Sequence, residues 1–140
     1  MNIKVVTSQE EIEQAFYVRT VVFVDEQNVP PEEELDAHDE SSTHFVVYDD
    51  DKPIAASRLR FVDSYGKLER ICVLKTYRGK AIGKQLIQAM EAVILEKGYH
   101  KAKLNGQTHA EKFYQRLGYK TISGEFMDAG IPHVTMVKEL

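Results

Sequence analysis

Three cations surround two glycines in the stretch YRGKAIGKQL, residues 77–86: Arg78, Lys80 and Lys84 beside Gly79 and Gly83. The formal net charge of the chain is −4, so this basic cluster runs against the overall balance. The segment before it, LERICVL, reads as a strand, and the segment after it, LIQAMEAVILEKG, reads as a helix. A helix start presents unpaired N–H groups and the positive end of a dipole, and both favour an anion. Glycine lets a ligand approach the backbone, and the cations add charge-assisted bonds. The chemistry suggested is capture of a phosphate or pyrophosphate. A Walker A loop is excluded, because three residues separate Gly79 from Gly83 and Gln85 stands where Ser or Thr must hold a metal. A dinucleotide fingerprint fails on spacing and on the absence of an opening βαβ unit. The plainer alternative is a glycine-containing helix start with surface lysines.

Other residues could act on whatever the turn holds. Tyr114 lies in HAEKFYQRLGY, Glu69 in the strand-like LERICVL, and His133 in GIPHVTM. Each has an ordinary structural alternative: a packed helix tyrosine, an exposed strand carboxylate, a structural histidine. Cys72 is the only cysteine, which rules out an internal disulfide and a four-cysteine zinc site, and a lone strand cysteine is usually core. His38 and His44, six residues apart across a turn, form no recognised metal-ligand spacing. No metal is expected.

These residues need elements to position them. NIKVV (2–6) reads as a strand. Ser8 with Glu11 three residues on is a capping box, and apolar residues then recur at helical spacing through 8–27. THFVVYD (43–49), KPIAASRLRFV (52–62) and GKLERICVL (66–74) read as an antiparallel meander joined by DDDK and DSYG turns. Residues 81–97 form a helix ended by Gly98, 101–106 a strand, and 109–118 a helix. YKTIS and HVTMVKE close the chain as strands. The order β-α-β-β-β-α-β-α-β-β gives a single α+β domain over 1–140 with a mixed central sheet.

The charge is uneven. Residues 25–40, DEQNVPPEEELDAHDE, carry eight acids and no Lys or Arg. They read as a solvated loop, or as a wall that draws in a cationic substrate. A hairpin centred on Tyr65 would set Arg60 against Arg70 and Arg58 against Cys72. Opposed arginines then need an anion between them: either acids of 32–40 fold over this face, Asp36 and Asp39 first, or the substrate supplies a carboxylate or phosphate. The acidic balance argues against nonspecific nucleic-acid binding. No apolar run reaches the ~20 residues of a membrane span, and the N-terminus has no signal pattern, so the expectation is cytoplasmic with no membrane partner.

VLKTYRGKAIGKQL resembles the acetyl-CoA-binding motif of the GNAT (GCN5-related N-acetyltransferase) superfamily, matching at Val73, Arg78 and Gly83 with Ala81 in place of the middle glycine. HAEKFYQRLGY resembles the second motif of that family at Ala110, Phe113, Tyr114, Gly118 and Tyr119. RTVVFVDEQNVPPEEELDAHDE followed by ASRLR resembles the ElaA/YjcF-like bacterial subgroup and, more distantly, the acylhomoserine-lactone synthases. The resemblance implies a GNAT-like fold and direct transfer of an acetyl group from acetyl-CoA to a primary amine of a small molecule or peptide. Backbone at Ile71, Cys72 and Val73 would bind the thioester. Residues 78–84, namely Arg78, Gly79, Lys80, Ala81, Ile82, Gly83 and Lys84, would hold the pyrophosphate, and Asn105 and Tyr114 would complete the cofactor site. Tyr114 would be the general acid, with Glu69 or His133 as base. Ala81 is expected to be helical, where alanine is favoured. The expected partners are acetyl-CoA and an amine acceptor, with homodimer formation left open. The alternative is a CoA-binding sensor that keeps the fold without turnover.

Overall fold

The computed structural model describes residues 1–140. Strands β1 (Asn2–Val5), β2 (Thr43–Asp49), β3 (Lys52–Val62), β4 (Tyr65–Val73), β5 (Lys101–Gln107), β6 (Lys120–Thr121), β7 (Phe126–Asp128) and β8 (Ile131–Glu139) form one sheet. Its order is β1-β2-β3-β4-β5-β8-β6, with β7 pairing β8. Helices α1 (Gln9–Arg19), α2 (Pro31–Glu34), α3 (Ile82–Glu96) and α4 (Glu111–Arg116) surround it. Every pairing is antiparallel except β4 with β5. The chain is therefore α+β with a mixed sheet, as the sequence pattern indicates.

Local chemistry explains the boundaries. Ser8 accepts from the Glu11 N–H and caps α1. After Arg19 the helix widens into a π-helix over Thr20–Glu26, which the apolar spacing did not distinguish from an α-helix. Extra turns of this kind cluster at functional sites. Ile54 through Leu59 are all buried, so both faces of β3 are covered. Helix α1 packs on β2, β3 and β4, and α3 packs on β3, β4 and β5. The α3 stripe of Ile82, Leu86, Met90 and Ile94 is buried in the core. No helix is long and apolar enough to cross a membrane.

Two expectations about the middle of the chain need correction. The β3–β4 hairpin turns at Asp63–Ser64, with Val62 opposite Tyr65, not around Tyr65. Arg58 therefore faces Glu69, and Arg60 faces Lys67. A bulge between Ala56 and Arg58 in the ladder then brings Ala56 opposite Cys72, and Arg70 takes a left-handed φ of 56°. The acidic stretch is not a solvated loop. It forms α2 and a 3-10 turn over Ala37–Glu40, and Glu34 is only 2% exposed.

Candidate active site

The turn before α3 is built to expose backbone donors. Gly79 (φ 80°) and Ala81 (φ 61°) are both left-handed, and α3 begins at Ile82 without a side-chain cap. None of the N–H groups from Gly79 to Lys84 donates a hydrogen bond within the protein; the first to do so is Gln85, to the Ala81 carbonyl. All of these residues but Lys80 line a cavity of about 260 Å³. This is the environment a phosphate needs. The expectation of a helical Ala81 is wrong, because the chain must reverse there to enter the helix from extended Arg78.

Two of the basic side chains are also placed differently from the expectation. The Arg78 guanidinium grips Glu26 at 2.6 and 2.7 Å and the Val73 carbonyl at 3.0 Å, tying the turn to the π-helix. That pairing holds the Glu26 carboxyl below its ordinary range. The Lys80 ammonium lies over the Tyr77 ring, 5.4 Å from its centre, and Lys80 lines neither cavity. Lys84 does line the smaller one.

Next to the turn, β4 and β5 part. Their ladder covers only Gly66–Leu68 with Ala102–Leu104. Beyond it a cavity of about 810 Å³ opens, with Ile71, Cys72 and Val73 on one side and Asn105 and Gln107 on the other. It shares Val73, Arg78, Gly83 and Phe113 with the smaller cavity, so the two adjoin. Asn105 accepts from the Thr135 hydroxyl at 2.9 Å, which leaves its amide N–H₂ available. Cys72 is buried, its thiol leans on the Ala56 carbonyl, and burial pushes its pKa up to about 12, so it is no nucleophile.

Tyr114 and His133 both line the large cavity. The Tyr114 ring packs against Gly106, where an added Cβ would come within 2.9 Å of it. Burial pushes its pKa up to about 12, so its hydroxyl keeps its proton at neutral pH. His133 Nδ1 lies 2.7 Å from the Ile131 carbonyl. A carbonyl can only accept, so in the neutral ring Nδ1 carries the hydrogen and Nε2 the lone pair. The Phe126 ring stacks on the imidazole.

Glu69 also lines the cavity, but the geometry corrects its assignment as base. Arg58, Arg60 and Lys67 surround its carboxylate at 2.8–3.1 Å. Against the cost of burial, the Arg60 hydrogen bond and the nearby Arg58 and Lys67 charges hold its pKa at about 2. A carboxylate so stabilised is too weak a base to take a proton from an ammonium.

The same ion pairs form the roof of the site. Arg19, fully buried, bonds Glu34 at 2.8 Å and Asp39 at 2.7 Å. Arg58, 2% exposed, bonds Asp36 at 2.7 Å and Asp39 at 3.0 Å. Asp39 stays well below the usual carboxylate range despite its burial, because Arg19, Arg58 and the Asp36 N–H all bond it. Asp36 and Asp39 thus supply anions to Arg58, and Asp36 also to Arg70, while Glu69 serves Arg60. Among the polar residues that line the cavity, Gln27, Gln107 and His109 were not singled out from the sequence. Gln107 donates to Gln27 at 2.9 Å, closing the end of the cavity. The polar run NGQTH at the end of β5 is the sequence signal for Gln107 and His109.

Comparison with known proteins agrees with this geometry. YjcF of Bacillus subtilis (strain 168), described as an uncharacterized N-acetyltransferase, is 48% identical over 140 residues, covering 99% of this chain and all of YjcF. A crystallographically solved protein of Lactobacillus plantarum superposes with a TM-score of 0.93 at 31% identity, over 99% of this chain and 97% of that one. ElaA of Escherichia coli superposes at 0.86 with 24% identity, over 99% of each chain, and shares the fold. Residues 6–140 match the family described as the acetyltransferase (GNAT) domain, and the chain belongs to that family, with YjcF among its relatives.

Proposed function

We propose that the protein is an acetyl-CoA-dependent N-acetyltransferase that acylates a primary amine directly, with donor and acceptor bound together. The observation that carries this reading is the pair of adjoining cavities. One is bordered by unpaired N–H groups at the start of α3, and the other opens where β4 leaves β5. The pyrophosphate of the cofactor would occupy the first, and the thioester would lie along Ile71–Val73 in the second.

The amine lone pair attacks the thioester carbonyl carbon, forming a C–N bond. Backbone N–H groups of β4 stabilise the oxyanion. Collapse breaks the C–S bond, and Tyr114 donates its proton to the departing thiolate. The amine proton passes to His133 Nε2, directly or through one water. Solvent then carries the proton from His133 back to Tyr114, which restores both residues. His133 is favoured over Glu69 because it lines the same cavity with only its Nδ1 engaged in a hydrogen bond, whereas Glu69 is held by three cations.

The test is thiol release from acetyl-CoA over a pooled panel of amines, followed by mass analysis of the acylated product. Release that depends on an amine is expected. CoA binding without release over the whole panel would favour a sensor that does not turn over.

A further inference from the structure

The ion-pair roof contains five cations, Arg19, Arg58, Arg60, Lys67 and Arg70, and four carboxylates, Glu34, Asp36, Asp39 and Glu69. One positive charge is in excess. Arg19, Arg58 and Arg60 each hold a carboxylate at 2.8 Å or closer. Arg70 does not. Its Nε and Nη2 reach the Glu33 and Glu34 carbonyls and Asp36 at 3.1–3.3 Å, and Glu34 Oε1 at 3.4 Å. Its Nη1 donates to nothing in the protein.

Arg70 also has an unusual backbone. It adopts φ 56° beside the β3–β4 bulge, a conformation a side chain tolerates poorly. Strain of this kind collects at ligand sites, and bulges re-aim side chains. Here the bulged residue immediately precedes Ile71–Val73 and lines the large cavity with them. At ~3.3 Å of rise per residue, its backbone is within ~3–10 Å of the thioester segment.

We infer that Arg70 recognises a carboxylate carried by the acceptor, so that the acceptor is a small amine of the amino-acid class. This rests on the acetyl-transfer reading above. A monoanion matches the single excess charge, whereas a phosphate dianion would meet Glu34, Asp36 and Glu69 at close quarters. Binding between a carboxylate and the free Nη1 edge would be charge-assisted. The other cavity acids that hold no cation, Glu32, Glu33 and Asp128, attract the ammonium of the same molecule.

The experiment uses protein saturated with CoA, to which each of the common amino acids and its carboxamide is added while melting is followed. At least one amino acid is expected to raise the melting temperature where its amide does not. With acetyl-CoA, the acid is expected to exceed the amide by about tenfold or more in kcat/KM, the range for losing a charged hydrogen bond. Arg70→Gln should raise KM for the acid by about tenfold with kcat changed less than about threefold, and erase the preference. Arg70→Lys should keep part of it. CoA binding with no preference for acids over amides in the wild type overturns the inference alone, as does a preference that survives Arg70→Gln. A wild type that binds no CoA overturns the acetyl-transfer reading and this inference with it.

Discussion

The Tyr114 ring occupies the space that a side chain at Gly106 would fill: a Cβ there would lie 2.9 Å from Tyr114 Cε2 and 3.0 Å from Cδ2. This close approach of helix α4 to strand β5 helps to fix where the hydroxyl sits. Gly106→Ala should displace the ring and lower turnover by about tenfold or more, since small misplacements at a reacting centre are costly. Tyr114→Phe removes only the hydroxyl and should cost about 10²-fold, the lower end for a general acid. CoA affinity should change less than about threefold in Tyr114→Phe. Steady-state kinetics paired with CoA titration checks both variants; wild-type turnover in Tyr114→Phe would make it a packing residue.

Ala81 stands in a left-handed conformation at the N-cap of α3. Glycine adopts that conformation without the steric cost that a Cβ imposes. Ala81→Gly should therefore stabilise the protein by about 0.5–1 kcal/mol, the reverse of what a helical position would give. Thermal or urea unfolding of the single variant measures it, and CoA affinity should hold or rise.

Ala81 also marks where the sequence stopped being readable. Periodicity and glycine stops gave the order of the main strands and helices, because those signals lie within each segment. The register of β3 on β4 depends on a two-residue turn and a bulge, and Arg70 gives no local sign of its positive φ. The role of Glu69 was misjudged for a similar reason. Its basicity depends on Arg58, Arg60 and Lys67, and which of them surround it is decided by that register. The phosphate-binding turn was legible because glycines, cations and a helix start coincide in one stretch. Glu26 lay within the acidic run, but its pairing with Arg78, 52 residues away, left no local sign.

His44 is buried, donates Nε2–H to the Asp39 carbonyl at 2.8 Å, and has no partner at Nδ1. Burial, aided by the nearby Arg19 and Arg58 charges, holds its pKa below the ordinary value. The unfolded chain then binds more protons just below pH ~6.5, so stability falls as pH drops from there toward the folded-state value. Glu69 acts in a separate window: its stabilisation is present above its unfolded pKa of ~4.3 and is lost toward pH 2. Urea midpoints from pH 7.5 to 3 should show both limbs. His44→Gln should flatten the upper limb and leave the lower one.

Asp39 joins Arg19 and Arg58 and also accepts from the Asp36 N–H at 3.0 Å. Removing its charge leaves buried guanidinium groups short of a partner. Asp39→Asn should cost about 3–5 kcal/mol, the range for breaking a buried pair. Glu26→Gln cuts the Glu26–Arg78 pair, whose side chains are 36% and 40% exposed, and should cost no more than about 1 kcal/mol. Denaturant unfolding of the two variants side by side tests whether the roof or the latch carries the stability.

The most direct test of the central claim is the CoA-induced melting shift of Gly83→Asp beside that of the wild type. Gly83 lines both cavities at the first turn of α3. A carboxylate there suits the helix dipole, so the apo variant should melt no lower than about the wild type. It would also occupy the N–H groups and repel the pyrophosphate. At ~100 times its dissociation constant CoA should add ~2.7 kcal/mol to the wild type, a rise of roughly 5–10 °C. The account predicts that rise in the wild type and its loss in a folded Gly83→Asp. A full shift in the variant, or none in the wild type, would contradict it.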